Sequence, residues 1–385
     1  MANILVISDP PAAPGYLPRL RYLCDYLVRR GYGVTVLTEE YQPLPFAHDY
    51  PIVTLPMYTG GTFDWAVKTV WTLVTDWHNK AFAKKFINHK SQIINHKYDL
   101  VLCTAFSDFP LGAAQRLAKH YGVPLLCDIR DLDEQVDDSR YQYRHRAWWT
   151  MPFRRLYRAV HIRRRNAVLR AADAVTTVSP WHAEFIRAVS HQPSAVSIVY
   201  NGFDEKQFYP AETPADAFRI TYIGSLFDWQ QPALETVRRV VEAMRQEGRD
   251  IQIEMHTPQH DTVPYDRLGD TIRSSSVMLV LTHPGTHGML TTKFYEALGC
   301  AKPVLCVPSD KGALAELIAY THAGIATDEP EAIRSFLDGL YREWQKRHYT
   351  LQPTQHREDF SREHQCEQME AVIQKIINHK LVLMR

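Results

Sequence analysis

Three features that often reveal a protein's function are missing here: an excess of one charge, paired cysteines and a long apolar run. The 44 Lys and Arg residues almost balance the 43 Asp and Glu residues, so net charge argues neither for nor against a nucleic acid partner. The six cysteines show no CxxC pair or metal-type spacing, and several lie in apolar segments, as reduced cysteines do. No apolar run approaches the roughly 20 residues of a spanning helix, and MANILVISDPP lacks a secretory signal's basic and apolar regions. We therefore expect a cytoplasmic protein.

Short apolar runs alternate with helical patterns along the whole chain, which is typical of parallel α/β domains. At 385 residues the chain exceeds what one core usually organises, so we expect two domains. The first half contains seven predicted strands, which are NILVIS (3–8), GVTVLT (33–38), 52–55, YDLVLC (98–103), VPLLCD (123–128), AADAVTTVS (171–179) and AVSIVYNG (195–202).

A second series of strands and helices begins at FRITYIG (218–224), after a stretch with two prolines and little periodicity. It continues with a helix over Pro232–Glu247, strands at 250–256 and 275–282, a short helix over 291–299 and the strand PVLCVP. The predicted fold is α/β, with two doubly wound, Rossmann-like domains facing across a cleft. We predict a first domain over 1–202, a linker over 203–216, a second domain over 217–359, and a helix over 360–385 that packs back on the first domain.

The strand end YIGS (222–225) is the first of three loops in the second half that suit an anionic ligand. Gly224 would let backbone amides approach a phosphate, and the Ser225 hydroxyl could donate a further hydrogen bond. A plain strand-ending turn explains the same residues equally well. The loop PSDKG (308–312) could contribute amides in the same way.

The segment TTKFYEALG (291–299) predicts a helix whose N-terminus points at a ligand. Thr291 or Thr292 can cap this helix, and its positive end would stabilise a diphosphate. Lys293 adds a full charge, and Glu296, one turn later on the same face, can accept two hydrogen bonds from a ribose diol. The alternative is an ordinary exposed Lys–Glu pair.

Taken together, these motifs resemble retaining nucleotide-sugar glycosyltransferases of the GT-B fold, family-4 type. The resemblance is carried by AADAVTTVSPWHAEFI, VYNGFD with Phe208 and Pro210 following, YIGSL, TTKFYEALGCAKPVL, VTVLT, YGVPLLCDIRDL and FSREHQ, in the expected order. It implies a nucleoside-diphosphate sugar donor, a glycan or lipid-linked glycan acceptor, retention of anomeric configuration, and no cofactor or metal ion. The chain is similar to a bacterial branch of surface-polysaccharide transferases.

Two positions depart from the family's pattern. In the family, two glutamates with seven residues between them mark the donor site; the second matches Glu296, which is implied to bind the ribose, whereas the first position is occupied by Gly288. The stretch GSLFDWQQP also lacks the basic residues that follow this strand in the family. The bacterial branch has a KxxE-like variant, in which Lys293 would supply the missing cationic contact.

The first half is predicted to hold the acceptor and part of the catalytic centre. Arg130 and Asp131 follow a predicted strand, so Asp131 could orient or deprotonate an acceptor hydroxyl and Arg130 could stabilise phosphate charge. An Arg–Asp pair that only organises the loop is the alternative. Asp131 and Asp133 also form a DxD pattern, but the resembling enzymes generally need no metal. Gly15, in the loop after the first strand, could allow close approach of donor or acceptor, or simply form a turn.

Residues 140–170 contain ten arginines and no acidic residue, interleaved with aromatic residues, and 63–86 places tryptophans among lysines. Arg154, Arg158 and Arg165 would share one helix face. This mixture is typical of interfacial helices on anionic membranes, so we predict peripheral contact with the inner membrane. A solvated basic helix with buried aromatic residues is the alternative; no RNA-binding module is recognisable, so no nucleic acid partner is expected.

The resemblance therefore implies a hexosyltransferase-type enzyme that acts in polysaccharide biosynthesis. Two other classes remain open. A non-catalytic GT-B relative is suggested by Gly288 and the missing basic residues, and a nucleotide-sugar epimerase is possible because some epimerases share this fold.

Overall fold

The computed structural model describes residues 2–8, 18–39, 48–57, 61–89, 97–105, 107–135, 151–258, 261–282 and 286–383. By its internal contacts the chain divides into two units. Unit 1 consists of Met1–Glu134, Asp138–Tyr200 and Cys366–Arg385, and unit 2 consists of Gln135–Asp137 and Asn201–Gln365. Each unit has its own sheet.

Unit 1 is built on a seven-stranded parallel sheet with the order β3-β2-β1-β4-β5-β6-β7. The seven strands predicted for this half are confirmed; NILVIS and GVTVLT have the predicted bounds, and the other five are shortened or shifted along the chain. The strands are β1 (Asn3–Ser8), β2 (Gly33–Thr38), β3 (Ile52–Thr54), β4 (Leu100–Ala105), β5 (Leu125–Ile129), β6 (Ala174–Thr177) and β7 (Val196–Ile198). The described helices are α1 (Pro18–Arg29), α2 (Thr62–Thr75), α3 (Trp77–Ile87), α4 (Asp108–Tyr121), α5 (Met151–Ala171) and α6 (Pro180–Val189).

The central strands of this sheet are buried along their whole length. All six residues of β4 and all five of β5 are buried, because helices cover both faces of a parallel sheet. On α1, Leu20, Leu23 and Leu27 follow helical spacing and are buried against one side of the sheet.

A buried carboxylate joins three strands of this sheet to α1. Asp128 on β5 accepts hydrogen bonds from both Nε and Nη2 of Arg19, at 3.2 and 3.0 Å, and from the hydroxyl of Thr176 on β6 at 2.7 Å. The Thr104 hydroxyl on β4 lies 3.4 Å away, and Arg19 also donates to the Val199 carbonyl at 2.8 Å. Every charge in this group is therefore matched.

Unit 2 contains a five-stranded parallel sheet with the order β12-β11-β10-β8-β9. Its strands are β8 (Phe218–Ile223), β9 (Ile251–His256), β10 (Val277–Leu281), β11 (Val304–Val307) and β12 (Gly324–Ala326). Its helices are α7 (Gln231–Gln246), α8 (Leu268–Ser274), α9 (Thr292–Gly299), α10 (Ala313–Tyr320), α11 (Pro330–Arg347) and the start of α12 (Arg362–Leu383). The sequence did not predict β12, which is a three-residue edge strand.

The last helix returns to the first sheet, as predicted. Cys366, Met369, Ile373 and Ile376 of α12 belong to the same buried cluster as α1. The Glu370 carboxylate accepts a hydrogen bond from the Tyr26 hydroxyl at 2.7 Å. Residues from both ends of the sequence thus complete one core.

Candidate active site

The second sheet has a point where its connections change direction. From β8 the chain crosses to β9 on one side, whereas from β10 it crosses to β11 on the other, and β8 and β10 are neighbours. In open α/β sheets ligands bind beyond the carboxyl ends of the strands at such a point. The loops after β8 and β10 are two of the three that the sequence predicted to bind an anionic ligand.

Helix α9 begins at Thr292 and is capped by Thr291. The Thr291 hydroxyl accepts a hydrogen bond from the Lys293 amide at 3.4 Å, and its backbone is extended, as is usual for a capping residue. Of the two threonines that the sequence offered, Thr291 is therefore the cap, and Thr292 is the exposed first residue of the helix.

Lys293 reaches from α9 to the end of β8. Its ammonium donates a hydrogen bond to the Tyr222 hydroxyl at 3.0 Å and lies 4.2 Å from the centre of the Tyr222 ring. The stem of Lys293 crosses Gly224, where a Cβ atom would lie 2.8 Å from the lysine Cε. Burial lowers the pKa of Lys293 to about 8, although nearby Glu296 partly offsets this effect. The position thus holds a partly desolvated cation beside a strand-ending glycine.

Gly224 is required at its position for two reasons. Its φ of +119° is a conformation that side chains disfavour, and Lys293 occupies the space that a side chain would need. The Gly224 amide donates to the His256 carbonyl at 2.8 Å, so this amide is already used within the sheet. Gly224 therefore acts by making room for Lys293.

Tyr222 is held in place by the loop that follows it. Its hydroxyl donates to the Ser225 carbonyl at 2.5 Å and lies 3.3 Å from Oε1 of Gln230, which also accepts from the Phe227 amide at 3.0 Å. Burial raises the pKa of Tyr222 to about 12, so the hydroxyl remains protonated at neutral pH. Ser225 thus contributes its carbonyl to the support of Tyr222, and its side chain is exposed.

Glu296 lies one turn after Lys293, and it is 9% exposed. Burial raises the pKa of its carboxyl to about 7, against the opposing influence of Arg362 and Lys293. Within the described residues no group hydrogen-bonds to this carboxylate, so its oxygens are available to an incoming donor. The Glu296 carboxylate can accept hydrogen bonds from hydroxyl groups, and the nearby cations, Lys293 and Arg362, favour a phosphate beside them.

Arg362 was missed by the sequence analysis. It is the first residue of α12, is 5% exposed, and donates to the Tyr265 hydroxyl at 3.2 Å. The sequence signal was present, because FSREHQ was recognised as a motif, but only the fold shows that its arginine acts on Glu296.

Gly288 is buried in the loop that precedes α9, with a φ of +63°. This left-handed conformation favours glycine, so the local backbone differs from one that would carry the glutamate expected by resemblance. The departure at this position is thus accommodated by the loop conformation.

The third predicted loop, 308–312, does not offer its amides to a ligand. The Asp310 carboxylate accepts from the amides of Gly312, Leu314 and Ala315 at 3.3, 3.0 and 2.9 Å, and the Ser309 amide donates to Asp328 at 2.7 Å. This suggestion from the sequence was wrong, because an aspartate within the loop caps the helix that follows.

In unit 1, Arg130 and Asp131 directly follow β5, at the carboxyl edge that the sequence predicted. Asp131 is exposed, whereas Arg130 is partly buried. Near Asp131 lies His182, the third residue of α6. Burial and Arg165 lower the pKa of His182 to about 4, although Asp131 acts in the opposite direction, so this imidazole is neutral at pH 7. Gly15 lies outside the described residues.

Two further carboxylate–histidine pairs at this edge were missed by the sequence analysis. Asp108, at the start of α4, is hydrogen-bonded to Nδ1 of His161. A carboxylate oxygen of Glu39, after β2, lies 3.2 Å from Nε2 of His78. The rings of His78 and Phe109 stack at 3.8 Å, which brings the two pairs together. Asp108 follows β4 beside β1, where the connections of the first sheet change direction. Their wide sequence separation explains why they escaped notice.

Two of the α5 arginines that were predicted to share a membrane-facing side instead contact the protein. Arg165 is fully buried and forms a bidentate ion pair with Glu134, at 2.6 and 2.9 Å. Arg158 donates to the Asp133 carbonyl at 2.5 Å. These two arginines hold the loop after β5, so the face shared by Arg154, Arg158 and Arg165 is not the one that could meet a membrane. Residues 140–150 lie outside the described part of the chain.

Over the described ranges, no three His, Cys, Asp or Glu side chains come together as metal ligands would. Asp133, the second acid of the DxD pattern, has a raised pKa because burial outweighs the opposing effect of Arg158 and Arg165.

Known proteins share this architecture. Residues 19–207 match the model of a family described as Glycosyltransferase Family 4. A comparison with curated proteins gave no match. Among solved structures, the chain is similar to a sucrose-phosphate synthase from Thermosynechococcus elongatus, with 17% identity and a TM-score of 0.63 over 98% of this chain and 100% of that one.

Two other solved structures contain bound nucleotide sugars. Anabaena HepE in complex with UDP-glucose is 12% identical, with a TM-score of 0.53 over 100% of this chain and 99% of that one. A UDP-GlcNAc 2-epimerase from Neisseria meningitidis bound to UDP-GlcNAc is 10% identical, with a TM-score of 0.51 over 97% and 100%. At these identities the likeness establishes the fold. The predicted GT-B class with two Rossmann-like domains is confirmed, and the family match supports the family-4 type.

Proposed function

We propose that this protein is a glycosyltransferase that moves a hexose from a nucleoside-diphosphate sugar to a hydroxyl group, with retention of configuration. One observation carries the proposal: the Lys293 ammonium, the capped start of α9 and the Glu296 carboxylate converge at the direction change of the second sheet. This arrangement offers positive charge to a diphosphate and an acceptor oxygen to a ribose.

Lys293 has the central role in this proposal. Glycosyl transfer leaves negative charge on the departing diphosphate, and a preformed cation lowers the energy of that charge more in a desolvated site than in water. The lysine is already partly desolvated and is directed by Tyr222, so it needs little reorganisation when the donor binds. The positive end of the α9 dipole would add to this stabilisation.

Glu296 is proposed to bind the two ribose hydroxyls. Its ionised carboxylate accepts two hydrogen bonds, and Arg362 stabilises that ionised form. Thr291 positions the helix, and Gly224 makes room for Lys293. The charge of the diphosphate would be met by these groups without a metal ion.

Unit 1 is proposed to bind the acceptor, a glycan or lipid-linked glycan of a bacterial surface polysaccharide. Asp131 and Arg130 at the end of β5 would orient the acceptor hydroxyl. The Asp108–His161 pair at the first sheet's direction change is a further group for this task. A polar edge of this kind suits a hydroxyl-rich ligand.

An epimerase acting on a nucleotide sugar is the second candidate, because the N. meningitidis 2-epimerase shares the fold. A binding protein without catalytic activity is the third, and Gly288 is the residue that favours it. Both candidates would use the same donor site, so only the products distinguish the three.

The first experiment is a thermal-shift screen of UDP, GDP, dTDP and ADP sugars. A donor at 100 times its Kd should stabilise the native state by about 2.7 kcal/mol, which shifts the melting temperature measurably. Lys293→Met should strongly reduce the shift. Lys302→Met is the matched control, since Lys302 is also buried with a pKa lowered to about 8, but donates to the Thr350 carbonyl at 3.0 Å.

The second experiment identifies the products formed from the donor that binds. Transfer to added glycan acceptors supports the proposal, whereas a converted donor sugar without any acceptor supports the epimerase. Binding without any product supports the third candidate. If no nucleotide sugar binds, or if Lys293→Met binds as well as wild type, the donor site is assigned wrongly.

A further inference from the structure

Helix α2 turns its apolar side away from the protein. The exposed fractions are 38% for Val67, 51% for Val70, 57% for Trp71 and 73% for Val74, and these residues follow helical spacing along one face. On the opposite face Thr72 is 5% exposed, and at the side of the helix Lys68 donates to the Met57 carbonyl at 3.1 Å. A helix that only packed on this domain would carry the reverse pattern.

This apolar face, Val67, Val70, Trp71 and Val74, is part of the largest group of exposed apolar side chains among the described residues. Six of the eleven large hydrophobic residues exposed there lie on α2 or on the first turns of α5, where Phe153 is 48% and Leu156 is 55% exposed. Contiguous apolar surface on a folded protein usually marks a site of interaction.

The surroundings of the apolar face are strongly basic. Helices α2, α3 and α5 together carry eleven Lys and Arg residues and one acidic residue, Asp64, which is paired with Lys68 at 2.6 Å. Lys80 donates to the Thr75 carbonyl at 2.5 Å, which places a cation at the end of the face. The exposed charge of these three helices is therefore predominantly positive, which favours an anionic surface; Arg165, buried against Glu134, does not contribute to it.

Helix α5 contacts the C-terminal end of α2, which also lies near Lys80. Arg164 donates to the carbonyls of Thr72 and Leu73 at 2.6 and 2.8 Å, and the neighbouring Arg163 is exposed. Apolar side chains flanked by cations on adjacent helices are the pattern of helices that lie in the membrane interface.

We propose that the apolar face of α2 docks unit 1 on a lipid bilayer with anionic headgroups, with Phe153 and Leu156 of α5 as a second contact. The valines and Trp71 would enter the boundary between headgroups and acyl chains, while Lys80 and Arg163 meet the lipid charges. A two-fold pair of chains is the less favourable occupant, since it would set two basic surfaces against each other. The described helices include none that could cross a bilayer, so the contact is peripheral.

The docking is measured with a fluorescent label on Val74→Cys. All six native cysteines are buried, so an environment-sensitive thiol reagent labels the introduced cysteine selectively. Vesicles of phosphatidylethanolamine with phosphatidylglycerol should shift the emission to shorter wavelength, whereas vesicles of phosphatidylcholine alone should give a much smaller change. The same label on Glu242→Cys, an exposed position of α7 in unit 2, should not respond.

Binding is then compared in unlabelled variants by vesicle flotation. Trp71→Ser with Val74→Ser should weaken binding at least about tenfold, whereas Tyr320→Ser, which removes a 52% exposed aromatic residue of unit 2, should leave it unchanged. Because the altered side chains are exposed, the circular dichroism spectrum and melting temperature should not change. The vesicle assay needs no donor, so its outcome is separate from that of the proposed transferase activity.

Two results would overturn the docking proposal. One is that wild-type protein fails to float with anionic vesicles at low salt, or that the double variant floats equally well. The other is that the double variant converts a dimer to a monomer while vesicle binding persists, which would assign the face to a second copy of the chain.

Discussion

Replacing Lys293 by methionine should separate donor use from stability. Methionine keeps most of the length of the side chain but removes the ammonium that donates to Tyr222 at 3.0 Å. The proposed hydrogen bond from this ammonium to the donor diphosphate joins two charged groups, and such a bond contributes about 1.5–3 kcal/mol. We therefore expect kcat/KM for the donor to fall about 10- to 150-fold, through weaker donor binding as well as a lower kcat.

The same change should not destabilise the free protein at pH 7. The native pKa of Lys293 is about 8, below the ordinary value of 10.5, so its charged form is disfavoured in the folded state. At 1.36 kcal/mol per pKa unit, this burial costs at most about 3 kcal/mol below pH 8. Between pH 8 and 10.5 the unfolded chain binds more protons, so wild-type stability should rise with pH there, and the methionine variant should lack this rise.

The assay combines initial rates at varied donor concentration with urea denaturation at pH 7 and pH 9.5. Lys302→Met should change stability with the same pH dependence but leave kcat/KM close to wild type. A Lys293→Met enzyme with kcat/KM within about threefold of wild type would refute the proposed role, whatever its stability.

Three further changes test other parts of the structure. Glu296 has a pKa of about 7, so donor kcat/KM should decline as pH falls below 7 and its carboxylate is protonated; Glu296→Gln should be slower and lack this decline in a pH–rate profile. Gly224→Ala should destabilise unit 2 by about 1–3 kcal/mol and raise donor KM, because φ is +119° and the new Cβ would displace Lys293; unchanged kinetics and urea midpoint would contradict this. Asp128→Ala leaves the largely buried Arg19 without its carboxylate, so urea denaturation should show a loss of about 3–5 kcal/mol; a loss under about 1 kcal/mol would show that the pair is not structural.

Much of the fold could be predicted because buried parallel strands are apolar along their length. NILVIS and GVTVLT gave strands with the observed bounds, Asn3–Ser8 and Gly33–Thr38. The edge strand β12, GIA, was missed since a single Ile between Gly and Ala is too short a pattern to indicate a strand. Its Gly324 would place a Cβ 2.0 Å from the Val304 carbonyl, a constraint that only strand pairing reveals.

The candidate site was predictable where its residues are close in sequence. Thr291, Lys293 and Glu296 lie within two turns of one helix, so spacing alone placed them together. Tyr222 and Arg362 belong to other elements, and their contacts depend on how strands and helices pack. The orientation of α5 likewise could not be deduced, because a row of arginines does not show which of them meets Asp133 or Glu134.

The shared core of α1 and α12 has a consequence for synthesis of the chain. Four side chains of the last helix, Cys366, Met369, Ile373 and Ile376, are buried beside the first strands, and burial of such side chains is worth roughly 1.5–3 kcal/mol each. Their sum is comparable to the whole stability of a typical domain. Unit 1 therefore cannot reach its final stability on the ribosome until residues beyond 366 have emerged, although most of its residues are translated first. Nascent chains stalled before and after this helix should differ sharply in their resistance to protease.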